Sequence, residues 1–127
     1  MDTTTDRLTP EEIRALLAQC YGSAEFYRHW SGLIYTEGIQ TMAEACRAYW
    51  LIDLIASHQG PIIRHPGLAD FQLWEITARP DHTATVTCRA DSDRPAVVQQ
   101  ELEYTDFPLD TLTIYVEGGT ILLPSEH

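Results

Sequence analysis

A short stretch of this chain, Ala48 to Ala56, is apolar all the way round a helix except for one aspartate, Asp53. A helix without a polar face belongs in the interior of a fold, because no side of it is suited to water. A lone carboxylate there must find a partner or lose its charge, since burying an unpaired charge is very costly. We therefore predict that Asp53 is buried and paired, either with an arginine, for which Arg28 is the candidate, or with backbone amides.

The first half of the chain carries the spacing of helices. Residues 9–12, Thr-Pro-Glu-Glu, form a helix start with a capping residue, a proline at the first helical position and a capping-box glutamate. Apolar residues then recur at helical spacing and predict a helix over residues 10–20. A second start predicts one helix over residues 36–57. Residues 24–35, between the two, are compatible with a short helix or a turn whose aromatic side chains pack in the core.

After residue 70 the spacing of apolar residues changes from helical to alternating, which is the period of strands. The alternation predicts strands at residues 71–79, 83–89, 96–105, 112–116 and 121–123. The pair Gly118-Gly119 predicts a two-residue hairpin turn before the last of them. The pattern predicts an α+β fold, a two-layer sandwich in which N-terminal helices pack on a C-terminal four- to five-stranded antiparallel meander.

The length of 127 residues predicts a single domain. Within it we expect disorder at residues 1–8, a helical part at 9–59 and an antiparallel sheet at 71–123. The start of the chain is polar and acidic, so no signal peptide is expected, and no apolar run reaches the length of a membrane span. Three widely spaced cysteines predict free thiols and a cytoplasmic location.

The charge of the chain is strongly negative, at 8 − 19 = −11, and every basic residue other than histidine is an arginine. Direct binding of nucleic acid or anionic lipid is disfavoured, because both require a positive surface. The charge favours a protein partner with a basic surface. If the sheet buries the apolar side of its strands, the other side carries the predicted binding residues, which are Glu75, Glu101, Glu103, Glu117 and Tyr115.

Motifs of catalytic and metal sites are missing from the sequence. The five histidines lack the close spacing of metal pairs, and there is no serine-nucleophile elbow, phosphate loop or zinc-peptidase motif. We therefore expect no metal and no cofactor. If the chain is an enzyme, Asp53 is the predicted acid or base, and Tyr49 and Ser57 share its helix face. His29 and Tyr49 then complete the catalytic set, in a cleft lined by the aromatic residues.

Three parts of the chain together resemble a known family. They are FYRHW at 26–30 with YTEG at 35–38, AYWLIDLIASHQ at 48–59, and ELEYTDFPL at 101–109 with LLPSE at 122–126. The family consists of small uncharacterised bacterial proteins that share a domain of unknown function, and it is associated with phages, plasmids and other mobile elements. The resemblance implies an accessory protein that acts on a host system, and it carries over no activity and no catalytic residue.

These observations leave three interpretations. The preferred one is a non-catalytic binding protein, an acidic inhibitor or adaptor from a mobile element that docks on the basic, nucleic-acid-binding surface of a host defence protein. The alternative is a small enzyme built around a buried Asp53. The third is a homo-oligomeric structural protein, for example a homodimer, that pairs through the apolar edge formed by Ile121, Leu122 and Leu123.

Overall fold

The secondary structure consists of helices on one face of a mixed sheet of seven strands. The computed structural model describes residues 8–20, 25–62, 64–65 and 67–127. Its helices are α1 (Pro10–Ala18), α2 (Glu37–Cys46), α3 (Tyr49–Ser57) and α4 (Gln59–Ile62). Its strands are β1 (Phe26–Arg28), β2 (Ile34–Thr36), β3 (Phe71–Ala78), β4 (Ala84–Arg89), β5 (Ala96–Leu102), β6 (Thr111–Glu117) and β7 (Thr120–Leu122). The strand order across the sheet is β1-β2-β7-β6-β3-β4-β5.

The C-terminal half of the chain has the strands that the alternating pattern predicts. In β3, β4 and β6 the even-numbered residues are largely buried, whereas the odd-numbered ones are at least partly exposed. Gly118 and Gly119, with φ angles of 53° and 86°, form the tight turn that joins β6 to β7. Positive φ at both positions is what a two-residue hairpin requires, and glycine adopts it without strain. Together with the helices of the N-terminal half, these strands confirm the predicted α+β class.

The sheet is larger than predicted and is not an antiparallel meander. β1 and β2 form an antiparallel hairpin where the sequence predicts a turn or a short helix. β2 then pairs in parallel with β7, which makes the sheet mixed. Strands of three residues are too short to show an alternating pattern, and the parallel partner is distant in sequence, so the local period reveals neither feature.

The prediction that residues 121–123 form an exposed sheet edge is also wrong, because their strand has a parallel partner that is distant in sequence. β7 lies inside the sheet, between β2 and β6. Ile121, Leu122 and Leu123 are all buried. An internal strand has both rows of backbone groups paired, so it offers no edge to a second chain.

The single helix predicted over residues 36–57 is two helices. α2 ends at Cys46. The residue that follows, Arg47, has a left-handed φ of 54°, and Ala48 before α3 is fully buried. The apolar residues of this region therefore form two stripes on two short helices. The first predicted helix is confirmed as α1, and its capping box is complete: the Thr9 hydroxyl accepts from the N–H of Glu12, and the Glu12 carboxylate accepts from the N–H of Thr9.

The core lies between the helices and the covered face of the sheet. Cys46 and Cys88 are buried in it, as their positions on apolar faces predict. The polar side chain of Gln72 is also buried there. Its amide exchanges hydrogen bonds of 2.8 and 2.9 Å with the amide of Gln59 and accepts one of 2.8 Å from the indole N–H of Trp74. Its polar atoms are thus paired, as burial demands.

Two further predictions concern disorder at the N-terminus and the absence of a membrane-spanning helix. The predicted disorder of residues 1–8 falls, apart from Leu8, outside the described residues. Among the residues that the structure describes, no helix has the length and apolar character needed to span a lipid bilayer.

Candidate functional site

One face of the sheet is left uncovered by the helices, and we call it the open face. It is formed by the odd-numbered residues of β3, β4, β5 and β6, whose even-numbered neighbours point into the core. The strand register places Glu75 between Thr113 and Thr87, and places Thr85 beside Glu101. Of the predicted binding residues, Glu75, Glu101, Glu117 and Tyr115 share this face. Glu103 lies just beyond the end of β5.

The carboxylates of the open face differ in how they are held. Glu101 accepts hydrogen bonds of 2.9 and 3.0 Å from the Thr85 hydroxyl and one of 3.1 Å from Arg79. These bonds, the one from Thr85 above all, hold the pKa of Glu101 below its ordinary value. Glu117 pairs with the imidazole of His127. Glu75 and Glu103 have no hydrogen bond or ion pair to any described residue.

The other end of the open face is aromatic and apolar. The ring of Tyr115 lies 5.0 Å from that of Phe71 and 5.2 Å from that of His127, and Leu73 is the cross-strand neighbour of Tyr115. Phe26, in the edge strand β1, is 58% exposed. Sequence reasoning identified Tyr115 but not the rings beside it, because Phe71 begins its strand and His127 lies near the face only through the C-terminal turn.

The prediction that Asp53 is buried is wrong. Its side chain is 60% exposed, and its partner is His29 rather than Arg28, with Nε2 of His29 lying 2.7 Å from the carboxylate. The reason can be read from α3 itself. Tyr49, Asp53 and Ser57 recur every four residues and are all exposed, so these polar-tipped residues form a narrow solvent stripe on the helix.

His29 connects this stripe to the β1–β2 hairpin. Its ring is 7% exposed, and its Nδ1 lies 2.7 Å from the Ser31 hydroxyl and accepts a hydrogen bond of 3.1 Å from the Ser31 N–H. Because Nδ1 accepts, Nε2 carries the proton and donates to Asp53. The contacts tie the hairpin loop to α3. Trp30, between the two partners in sequence, is 86% exposed at the tip of the loop.

The predicted catalytic set is only partly assembled. His29 and Asp53 meet, but the Tyr49 hydroxyl donates a 2.6 Å hydrogen bond to Glu44, which together with burial raises the pKa of Tyr49 to about 12. The Ser57 hydroxyl donates to the backbone carbonyl of Leu54. Neither hydroxyl therefore acts on Asp53. The aromatic segment is not a core segment either, since Phe26 and Trp30 are largely exposed.

Metal-binding and thiol chemistry have little support among the described residues. In that part of the chain no group of three or more histidine, cysteine, aspartate or glutamate side chains is placed to hold a metal ion. Burial raises the pKa of the Cys46 thiol to about 11 and that of the Cys88 thiol to about 12. Both thiols are therefore protonated near neutral pH and are poor nucleophiles.

Comparison with known proteins places the chain in a family. Residues 11–127 match the model of a family of unknown function, DUF6876. The chain belongs to this family. The comparisons found no curated protein and no solved structure that matches it. The resemblance to a domain of unknown function is thus confirmed over nearly the whole chain, and the family description names no activity.

Proposed function

We propose that this member of the DUF6876 family is a protein-binding module whose open face docks on a basic surface of a partner. The observation that carries the proposal is the composition of that face. Unpaired Glu75 lies in the sheet near an aromatic end where Phe71 and Tyr115 are half-buried. Protein interfaces typically combine apolar and aromatic contacts with a charged, solvent-exposed rim.

The electrostatics support a basic partner. Across the chain acidic residues outnumber basic ones by 19 to 8. Arg79 neutralises Glu101 in part, so the free negative charge of the open face is weaker than the sequence alone indicates and is concentrated at Glu75. Charges of this kind accelerate encounter with a positive surface and are screened by salt.

The proposal includes a biological setting, which rests on the resemblance to proteins of phages and mobile elements. In that setting the partner is a host defence protein, and its nucleic-acid-binding surface is the basic surface that the open face occupies. Such a surface is lined with arginine and lysine to bind phosphates. An acidic module bound there blocks access of nucleic acid without any catalytic step.

The test is a quantitative pull-down from host lysate at low and at high salt. Wild type is compared with Glu75→Arg/Glu101→Arg on the open face. The control, Glu11→Arg/Asp93→Arg, makes the same change of net charge at exposed positions away from that face. We expect proteins that are retained by wild type and by the control and are lost in the open-face variant and at high salt. Retention by all three, or by none, would contradict the proposal.

The enzyme alternative is supported by one observation. Asp53 orients His29, whose Nδ1 faces the hydroxyl of Ser31, which is the order of orienter, base and nucleophile in serine hydrolases. Against it, the N–H of Ser31 also donates to Nδ1, and the N–H of Gly32 is used by the carbonyl of His29 rather than facing a substrate. A fluorophosphonate probe decides: labelling that disappears in Ser31→Ala and Asp53→Asn favours the enzyme, and unlabelled wild type excludes an activated serine.

A further inference from the structure

The sheet ends at β5, and this edge is long and nearly uncharged. β5 runs for seven residues, Ala96–Leu102, with the sequence AVVQQEL, and no strand lies beyond it in the described structure. Edge strands of natural proteins usually carry lysine, an inward charge, an interior proline or a β-bulge that hinders pairing with another chain. β5 has one such irregularity near its start, where Val97 has no partner in β4, and it is regular from Val98 to Leu102. In β5 the only charge is Glu101, which is held by Thr85 and Arg79 of its own chain. The opposite edge, β1, has only three residues.

The hydrogen-bond pattern shows which backbone groups of β5 are free. The N–H of Ala78 donates to Asp110, on the β6 side, and the N–H of Arg79 donates to Thr83, on the β4 side. The odd-numbered residues of β3 therefore bond to the odd-numbered residues of β4. Because successive residues of a strand point their backbone groups to opposite sides, the even-numbered residues of β4 bond to β5. Their partners are Leu102, Gln100 and Val98. The N–H and C=O groups of Gln99 and Glu101 therefore point outward, away from the sheet.

We infer that two copies of this chain pair through β5 in antiparallel fashion about a two-fold axis at Gln99. Gln99 is the midpoint of the strand, and this register also places Val98 opposite Gln100 of the second copy, beyond the irregular position at Val97. Outward-pointing groups at the axis form a hydrogen-bonded pair, in which the two Gln99 residues exchange N–H···O bonds. The product is a continuous sheet of twice seven strands.

The charge of β5 is compatible with this register. Opposite positions add up to 198, so Glu101, the only charged residue of β5, comes opposite residue 97 of the second copy. The two Glu101 carboxylates stay about 13 Å apart along the strands, so they repel weakly.

Sedimentation velocity on the full chain, from low micromolar to high micromolar concentration, tests the inference. Wild type is expected to shift from monomer to dimer with increasing concentration. Gln99→Pro removes an N–H that only the second copy uses, and edge positions of this kind tolerate proline, so the variant should stay folded and monomeric. Circular dichroism checks its fold. Sedimentation measures mass alone, so the outcome of this test is independent of what the open face binds. A monomeric wild type at all concentrations, or a folded Gln99→Pro that dimerises like wild type, overturns the inference.

Discussion

The carboxylate of Glu126 occupies the space that a side chain at Gly38 would need. A Cβ at residue 38 would lie 2.5 Å from the carboxyl atoms of Glu126. The same carboxylate accepts hydrogen bonds from the Thr36 hydroxyl at 2.6 Å, from the N–H of Leu123 at 2.9 Å and from the N–H of Gly38 at 3.2 Å. A negative group at the start of α2 also interacts favourably with the helix dipole. Glu126 thus fastens the C-terminal turn to the beginning of α2.

Gly38→Ala is therefore expected to destabilise the protein, although alanine normally favours a helix. The methyl group displaces the Glu126 carboxylate and its hydrogen bonds, and we expect a net loss of about 1 kcal/mol in the free energy of unfolding. In a Glu126→Ala background the obstacle is gone, and Gly38→Ala should become neutral or stabilising. Urea denaturation measures both. Gly60→Ala is the control, because a Cβ there meets nothing within 4 Å; equal effects of the two glycine variants would contradict the steric argument.

The His29–Asp53 pair should contribute unequally from its two sides. Asp53→Ala is expected to cost about 1 kcal/mol, because the carboxylate is exposed and water can replace its hydrogen bond to His29. His29→Ala should cost about 2 to 3 kcal/mol, since it empties a buried site and frees the hairpin from α3. Chemical denaturation checks both values, with exposed Asp93→Ala expected to stay within about 0.5 kcal/mol of wild type. A cost for Asp53→Ala as large as that for His29→Ala would mean that the exposed carboxylate is essential to the fold.

Local sequence pattern predicts some secondary-structure elements of this chain and misses others. The helix start at Thr9, the Gly118-Gly119 turn and the alternation in β3, β4 and β6 are local signals, and the structure has all of them. β1 and β2 exist because β7 pairs with β2 across more than eighty residues of sequence. No local period encodes such a partner. The position of Asp53 is a different case, because the exposed stripe of Tyr49, Asp53 and Ser57 is visible in the sequence once tyrosine is treated as amphipathic.

The candidate site also has a part that could be predicted from the sequence and a part that could not. Strand alternation alone places Glu75, Glu101, Glu117 and Tyr115 on one face, and the register agrees. Pairings that depend on loops, such as Arg79 with Glu101 and His127 with Glu117, could not be predicted, because side chains from turns reach a face without following its period. The binding role of these residues stays a prediction.

Thr85→Val should raise the pKa of Glu101, because the Thr85 hydroxyl is the main cause of its lowered value. A carboxylate with a pKa lowered by folding stabilises the native state above its unfolded-state pKa, and this contribution is lost as the pH falls through the native-state pKa. The stability difference between wild type and Thr85→Val should therefore be largest near neutral pH and should shrink in acid. NMR titration of the Glu101 side-chain carbonyl measures the shift directly. Thr87→Val, one position along the same face, is the control and should leave the titration unchanged.

The buried amide of Gln72 gives the last prediction. Gln72 is 2% exposed and has four hydrogen-bond contacts, two with Gln59, one with the Leu68 carbonyl and one with the Trp74 indole. Gln72→Leu fills similar space but leaves those groups without partners, so we expect a loss of about 2 to 3 kcal/mol. If the loss comes from buried groups left without hydrogen-bond partners, Trp74→Phe should cost less in the Gln72→Leu background than in wild type. In that background it removes an indole N–H that is already unpaired. Denaturation of the four proteins of this cycle gives the coupling energy, and strict additivity would show that the hydrogen bond to Trp74 contributes nothing to stability.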